Sequence, residues 1–160
     1  MTTAQRRRGR RPAGLDLGSP PWAAPATIGL ALLGLGTSIY LTVEHFTAST
    51  TLACPETGVV NCQRVTTSAQ SSIAGVPWAL LGAIFFAGLL LLGLPAAWRS
   101  RSTNVRYGRL ALAATGVVSV IYLICVELFV VNALCLWCTV AHVAALAAFG
   151  VVCFATASYS

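Results

Sequence analysis

Six cysteines carry most of the chemistry available to this chain of 160 residues: Cys54, Cys62, Cys125, Cys135, Cys138 and Cys153. Cys135-Leu136-Trp137-Cys138 is a C-x-x-C pair. At the start of a helix its first thiolate is stabilised by the positive end of the helix dipole, and the disulfide closes a tight ring that exchanges readily. Such a pair moves electrons. Cys54 and Cys62, with seven residues between them, form a second pair of different spacing. Two alternatives use the same four thiols. Two static disulfides would staple a loop and a turn, and four thiolates on one face would hold zinc tetrahedrally. The seven-residue interval departs from the roughly two to four residues that separate paired zinc thiolates, and no metal is expected. Cys125 and Cys153 read as small apolar packing residues in a helix bundle and are given no role.

What must position these thiols is a set of membrane helices. Hydrophobic residues make up 57% of the chain and charged ones 9%, and the mean hydropathy is +0.79, which suits a water-facing surface poorly. Ala24 to Val43 carries no charge, and about 20 residues at roughly 1.5 Å each match a hydrocarbon core of roughly 30 Å. Gly75 to Ala97 is again uncharged, with Trp78 and Trp98 near its ends, where indoles favour the membrane interface. Leu110 to Ala157 is interrupted only by Glu127, Asn132 and His142. As one helix it would run about 72 Å, so it divides at Glu127 and Asn132. The sequence predicts an all-α membrane protein, a four-transmembrane-helix bundle with spans near 24–43, 75–97, 110–128 and 135–157. A disordered basic tail over 1–23 precedes it and a short tail, 158–160, follows.

Ten arginines against four acids give a formal charge of +6. They form no stripe of the kind that binds nucleic acid, so no nucleic-acid partner is expected. Arg6, Arg7, Arg8, Arg10 and Arg11 precede the first span, and Arg99, Arg101, Arg106 and Arg109 fill one gap. The positive-inside bias then puts both termini in the cytoplasm and the tail against anionic lipid. A cleaved signal peptide over residues 1–48 is the alternative, but its apolar stretch exceeds the usual h-region of roughly 7 to 15 residues. The outer loop, His45 to Ala74, is too long for a simple connection, and Asn61 to Ile73 could form a short helix over the bundle mouth. Both cysteine pairs fall at this outer face, where disulfides persist. Glu44, His45 and Glu127 are expected to solvate helix ends, and Trp137 to anchor at the interface.

Cys54-x7-Cys62, Ser68 six residues on, Gly75-Val76-Pro77 at the second span and Cys135-x-x-Cys138 at the fourth resemble the vitamin K epoxide reductase family in its bacterial, single-domain form, over roughly residues 25 to 157. The resemblance implies a quinone-dependent thiol oxidoreductase in the bacterial plasma membrane, with its active site on the extracytoplasmic face. It implies that Cys54 and Cys62 shuttle electrons from a separate thioredoxin-like protein, that Cys62 attacks Cys135, and that Cys138 faces a quinone, menaquinone or ubiquinone. Ser68 matches a hydroxyl position near the quinone and loop. His142 stands where the animal enzymes have Tyr, and it is the second candidate for the quinone pocket. The disulfide-bond formation protein B family orders its pairs the other way round. A metal-binding or small-solute transport protein is the rival of another class, and it would extend thiol ligands inward through Cys125 and Cys153.

Overall fold

The computed structural model describes residues 20–47, 53–54 and 57–158. Four long helices dominate it: α1 (Ala23–Thr47), α3 (Trp78–Gly93), α5 (Thr103–Val126) and α6 (Leu136–Ala157). Short elements fill the connections. These are α2 (Cys62–Thr66), a 3-10 turn (Ala69–Ser71), the hairpin β1 (Ser72–Ile73) and β2 (Val76–Pro77), α4 (Pro95–Arg99), and a π turn (Glu127–Val131) that continues α5. Three helical segments, Ala23–Thr47, Thr103–Val131 and Leu136–Ala157, are long and apolar enough to cross a membrane. The amino-terminal tail expected over 1–23 lies outside the described residues up to position 19, and α1 already begins at Ala23.

Small residues bring the helices together, as bilayer packing requires when apolar side chains gain little by leaving lipid. Ala144, Ala145 and Ala148 line one face of α6 and close with Ala31, Phe86, Leu89 and Val120 into the central core. α1 is the hub, packing chiefly against α3 and α6, while α5 leans on α6 and only loosely on α3. Gly34 is fully enclosed by this contact: a Cβ built there would overlap the Phe86 ring.

The second apolar stretch departs from the expected unbroken helix over 75–97. Its first residues form a hairpin, with Ser72 opposite Pro77 and Ile73 opposite Val76. Ala74 and Gly75 both adopt positive φ, 51° and 81°, as a two-residue turn of this hand demands. The helix therefore starts at Trp78 and stops at Gly93, a length of about 24 Å. Leu94 is extended ahead of Pro95, whose ring disfavours helix in the preceding residue and supplies no N–H.

That break explains a buried cation. Arg109, expected in a polar gap, is 4% exposed. It donates to the Leu92 carbonyl at 3.3 Å and lies 3.4 Å from the Trp98 ring centroid. The guanidinium thus ties the end of α3 to α5 through a carbonyl at the interrupted helix end and through cation–π attraction. The third span likewise overruns its expected end at Leu128, running helical from Thr103 to Val131. Asn132 then closes it in the left-handed region, φ 53°, and the Ala133 N–H donates to the Glu127 carbonyl at 3.1 Å.

Gly34→Val is expected to lower the stability of the bundle by about 2 kcal/mol, because the Phe86 ring has to move. Gly36→Ala, where a Cβ meets open space inside a helix, should not lower it and should raise it by up to about 1 kcal/mol. Thermal unfolding in detergent, followed by circular dichroism, checks both.

Candidate functional site

The site is built where the outer loop meets the start of α6. Leu134 uses both of its backbone groups to hold the loop: its N–H donates to Val59 at 2.9 Å, and its carbonyl accepts from Asn61 at 3.0 Å. Asn61 then caps α2, its side-chain oxygen accepting the Arg64 N–H at 2.7 Å. Cys62, the first residue of α2, is thereby placed beside α6, and its Sγ accepts the Leu136 N–H at 3.3 Å. The helix expected somewhere within 61–73 is present as α2 and the 3-10 turn, broken at Thr67 and Ser68.

Cys54 and Cys62 are joined by a disulfide, with their Cα atoms 6.1 Å apart. Cys135 and Cys138 are both thiols. Cys135 caps α6 from just outside the helix, and its Sγ accepts the Cys138 N–H at 3.2 Å. Hydrogen bonds from Cys138 hold the Cys135 thiol below its ordinary range, against desolvation and the nearby Glu127 charge, which act the other way. Cys62 and Cys135 are fully buried and pack with Leu41 in one cluster, which Cys54, Trp137 and Cys138 join from its edge. All four cysteines singled out by spacing therefore meet. Two cysteines stay apart: Cys125 is exposed on α5, a correction to its expected place in the packed interior, and Cys153 is half-buried on α6, about 22 Å along the helix from Cys138.

Beneath the cluster lies a cavity of about 360 Å³, bounded by α1, α3, α5 and α6 and roofed by the loop. Cys138, Ser68 and His142 all line it. His142 is 8% exposed, and the Ser68 hydroxyl donates to the Val65 carbonyl at 2.8 Å. The rest of the wall is mostly apolar, including Leu41, Phe85 and Val120. Among the described residues, no three His, Cys, Asp or Glu side chains converge in a way that could hold a metal ion.

Three side chains read from the sequence as solvated or anchoring have positions in the site instead. Glu127 is 4% exposed, and its Oε2 accepts the Cys135 N–H at 3.5 Å. The π turn widens the last turn of α5 at this residue, so the carboxylate meets the cap of α6. His45 donates from Nδ1 to the Thr66 carbonyl at 3.1 Å, pinning α2 across the mouth. Its neighbour Glu44 has a buried oxygen, Oε2, with no hydrogen-bond partner among the described residues. The Trp137 indole donates to the Ala53 carbonyl at 2.9 Å, and the Ala53 N–H donates to the Tyr40 hydroxyl at 3.2 Å, so the residue before Cys54 is gripped from both sides. The signal for Glu127 was present in the sequence. A carboxylate eight residues before a C-x-x-C, at the end of an apolar span, costs too much to bury without a partner.

Apolar helices that gather a disulfide and a C-x-x-C thiol pair above a cavity define a membrane thiol oxidoreductase. The chain belongs to the vitamin K epoxide reductase family, whose sequence model matches residues 25–153. No curated protein matches it.

The grip on Ala53 has a measurable counterpart. Trp137→Phe removes one hydrogen bond, worth about 1 kcal/mol, and is expected to speed reduction of the Cys54–Cys62 disulfide by dithiothreitol about fivefold. Alkylation and mass analysis of the two cysteines over time checks it.

Proposed function

We propose that this protein oxidises a separate extracytoplasmic thioredoxin-like protein and passes the two electrons to a membrane quinone, so supporting disulfide formation. One observation carries the reading: the sulfur of Cys62 lies at the cap that holds Cys135, while Cys138 of the same pair opens onto an apolar cavity. The shuttle side and the acceptor side of a relay are thus one residue pair apart.

The chemistry proceeds by thiolate exchange. A thiolate of the partner attacks Cys54 and frees Cys62, and the partner's second thiol resolves the mixed disulfide, leaving Cys54 and Cys62 reduced. Cys62 then attacks Cys135 of the Cys135–Cys138 disulfide, and Cys138 leaves as thiolate. Attack by Cys54 on Cys62 restores the loop disulfide and leaves both helix cysteines reduced. This is the arrangement of bonds the fold displays. The Cys138 thiolate then donates an electron pair into the cavity as Cys135 and Cys138 close again.

A quinone ring supplies the two-electron acceptor. The cavity suits one, since its volume falls within the range of small-molecule pockets, roughly 300 to 1,000 Å³, and its mostly apolar wall includes Cys138, Ser68 and His142. His142 would donate to one ring carbonyl, and Ser68 would donate to the other by turning its hydroxyl away from the Val65 carbonyl. We further propose four spans, with α3 as the short second one, both termini in the cytoplasm, and the cysteine site on the outer face of a bacterial plasma membrane. The arginine clusters and the common face of the two pairs support this.

With a reduced thioredoxin-like protein and a quinone analogue, the wild-type protein is expected to bleach the quinone absorbance. Cys138→Ser should reduce turnover by at least roughly a thousandfold, because the electron donor is lost, whereas Cys153→Ser should retain the full rate. Retained turnover in Cys138→Ser would falsify the relay. For the topology, a membrane-impermeant maleimide applied to intact cells should label Val59→Cys but not Arg101→Cys. Labelling of both from outside sinks the proposed orientation.

A further inference from the structure

The relay as described moves electrons, yet every turn also moves protons. Closing Cys135 and Cys138 to a disulfide removes two electrons and two protons, and reduction of a quinone to its quinol consumes two of each. The proton must be handled in an apolar chamber beneath buried sulfurs. A thiolate on Cys138 beside an ionised Glu127 would place two negative charges in one desolvated cavity, which low-dielectric surroundings strongly disfavour.

Glu127 sits where this conflict can be resolved. It is the buried carboxylate among the described residues. Its Oε2 is held by the Cys135 N–H, and the residue shares the cavity wall with Cys138. The ionisable groups around it are few. His45, from α1, lines the same cavity, Glu44 precedes it in the chain outside that lining, and Arg64, on the α2 segment packed against the π turn, is exposed. Cys135, Cys138 and His142 belong to α6 and its cap. His45 has its Nδ1–H committed to the Thr66 carbonyl, and His142 lies about one turn deeper than Cys138. Among the described residues, Glu127 is the ionisable side chain outside the pair that both bonds its backbone and lines the chamber.

We infer that Glu127 is the proton carrier of the C-x-x-C pair: its carboxylate takes a proton released as Cys135 and Cys138 close to a disulfide and, as the carboxylic acid, gives it to the reduced acceptor in the cavity. The second thiol proton is lost to solvent at the cavity mouth, and the second proton of the quinol is drawn from there, so electrons and protons balance. The inference rests on the thiol-to-quinone reading above. Its charge logic is testable without the acceptor, because with nothing in the cavity to receive it the proton stays on the carboxyl when the pair closes.

Two measurements test it. Difference infrared spectroscopy of the quinone-free protein, reduced and oxidised by small thiol reagents, should show a protonated-carboxyl band that follows the redox state of the pair. The band should vanish in Glu127→Gln and shift in Glu127→Asp. In the coupled assay, Glu127→Gln keeps an oxygen to accept the Cys135 N–H but cannot carry a proton, so kcat should fall roughly a hundredfold with little change in KM. Its pH profile should lose one limb, and Glu127→Asp should recover that limb. Turnover and pH profile unchanged in Glu127→Gln would overturn the inference. So would a uniform loss with the profile intact, which would make Glu127 a positioning residue only, or a carboxyl band that ignores the redox state or persists in Glu127→Gln. A His142→Gln protein that alone loses the limb would move the role to His142. If no preparation reduces quinone while the carboxyl band still follows the thiols, the acceptor assignment fails and the role of Glu127 stands.

Discussion

The backbone pairing of Leu134 with Val59 and Asn61 is the contact on which the site depends. The main chain sets the position of the loop, and the side chains of His45, Asn61 and Trp137 then secure it. Two hydrogen bonds, each worth about 1 kcal/mol net, place the cap of α2 against the cap of α6. Everything chemical follows from that placement: Cys62 reaches the Leu136 N–H, and Trp137 reaches back to Ala53. A side-chain clasp could be altered by one substitution. A backbone clasp tolerates changes of sequence as long as the chain can take the same path.

The helices and the thiol pairs were legible in the sequence for a simple reason. Uncharged stretches near the length of a bilayer, such as Ala24 to Val43, have few other fates, and cysteine spacing survives any error in helix boundaries. What the sequence obscured was local. The hairpin at Ala74 and Gly75 and the stop before Pro95 are both turn chemistry, and averaged hydropathy passes over them. Pro95 was visible and carried the information, but the apolar run around it hid the break. Burial of Arg109 and Glu127 was harder to foresee, because each depends on a partner from another element: the Leu92 carbonyl in one case, the Cys135 N–H in the other. A residue's charge is read from sequence, whereas the group that makes its burial bearable is supplied by the fold.

These two charges occupy opposite ends of the bundle and illustrate different ways of keeping an ion within apolar surroundings. Arg109 spreads its charge over an indole face and a carbonyl at a broken helix end. It stitches α3 to α5 where their packing is otherwise loose. Glu127 has a single long hydrogen bond from the backbone and faces a cavity. The first arrangement fixes the group between two neighbours, even though its Nε has no hydrogen-bond partner among the described residues, and suits a structural tie. The second leaves the group able to change its state, which is what a working part of a site requires.

The roof of the chamber is made from the segment that carries the loop disulfide, since Val65, Thr66 and Ser68 line it and follow directly from Cys62. Traffic of a lipid-borne ring through that roof would have to unseat the sulfur bridge each time. α3 and α5 pack less closely than the other neighbouring long helices, and the Arg109 tie lies at one end of their seam. Under the proposed function, a ring entering from the bilayer at that seam would leave the sulfurs overhead in alignment, so fuel and oxidant would not share an entrance.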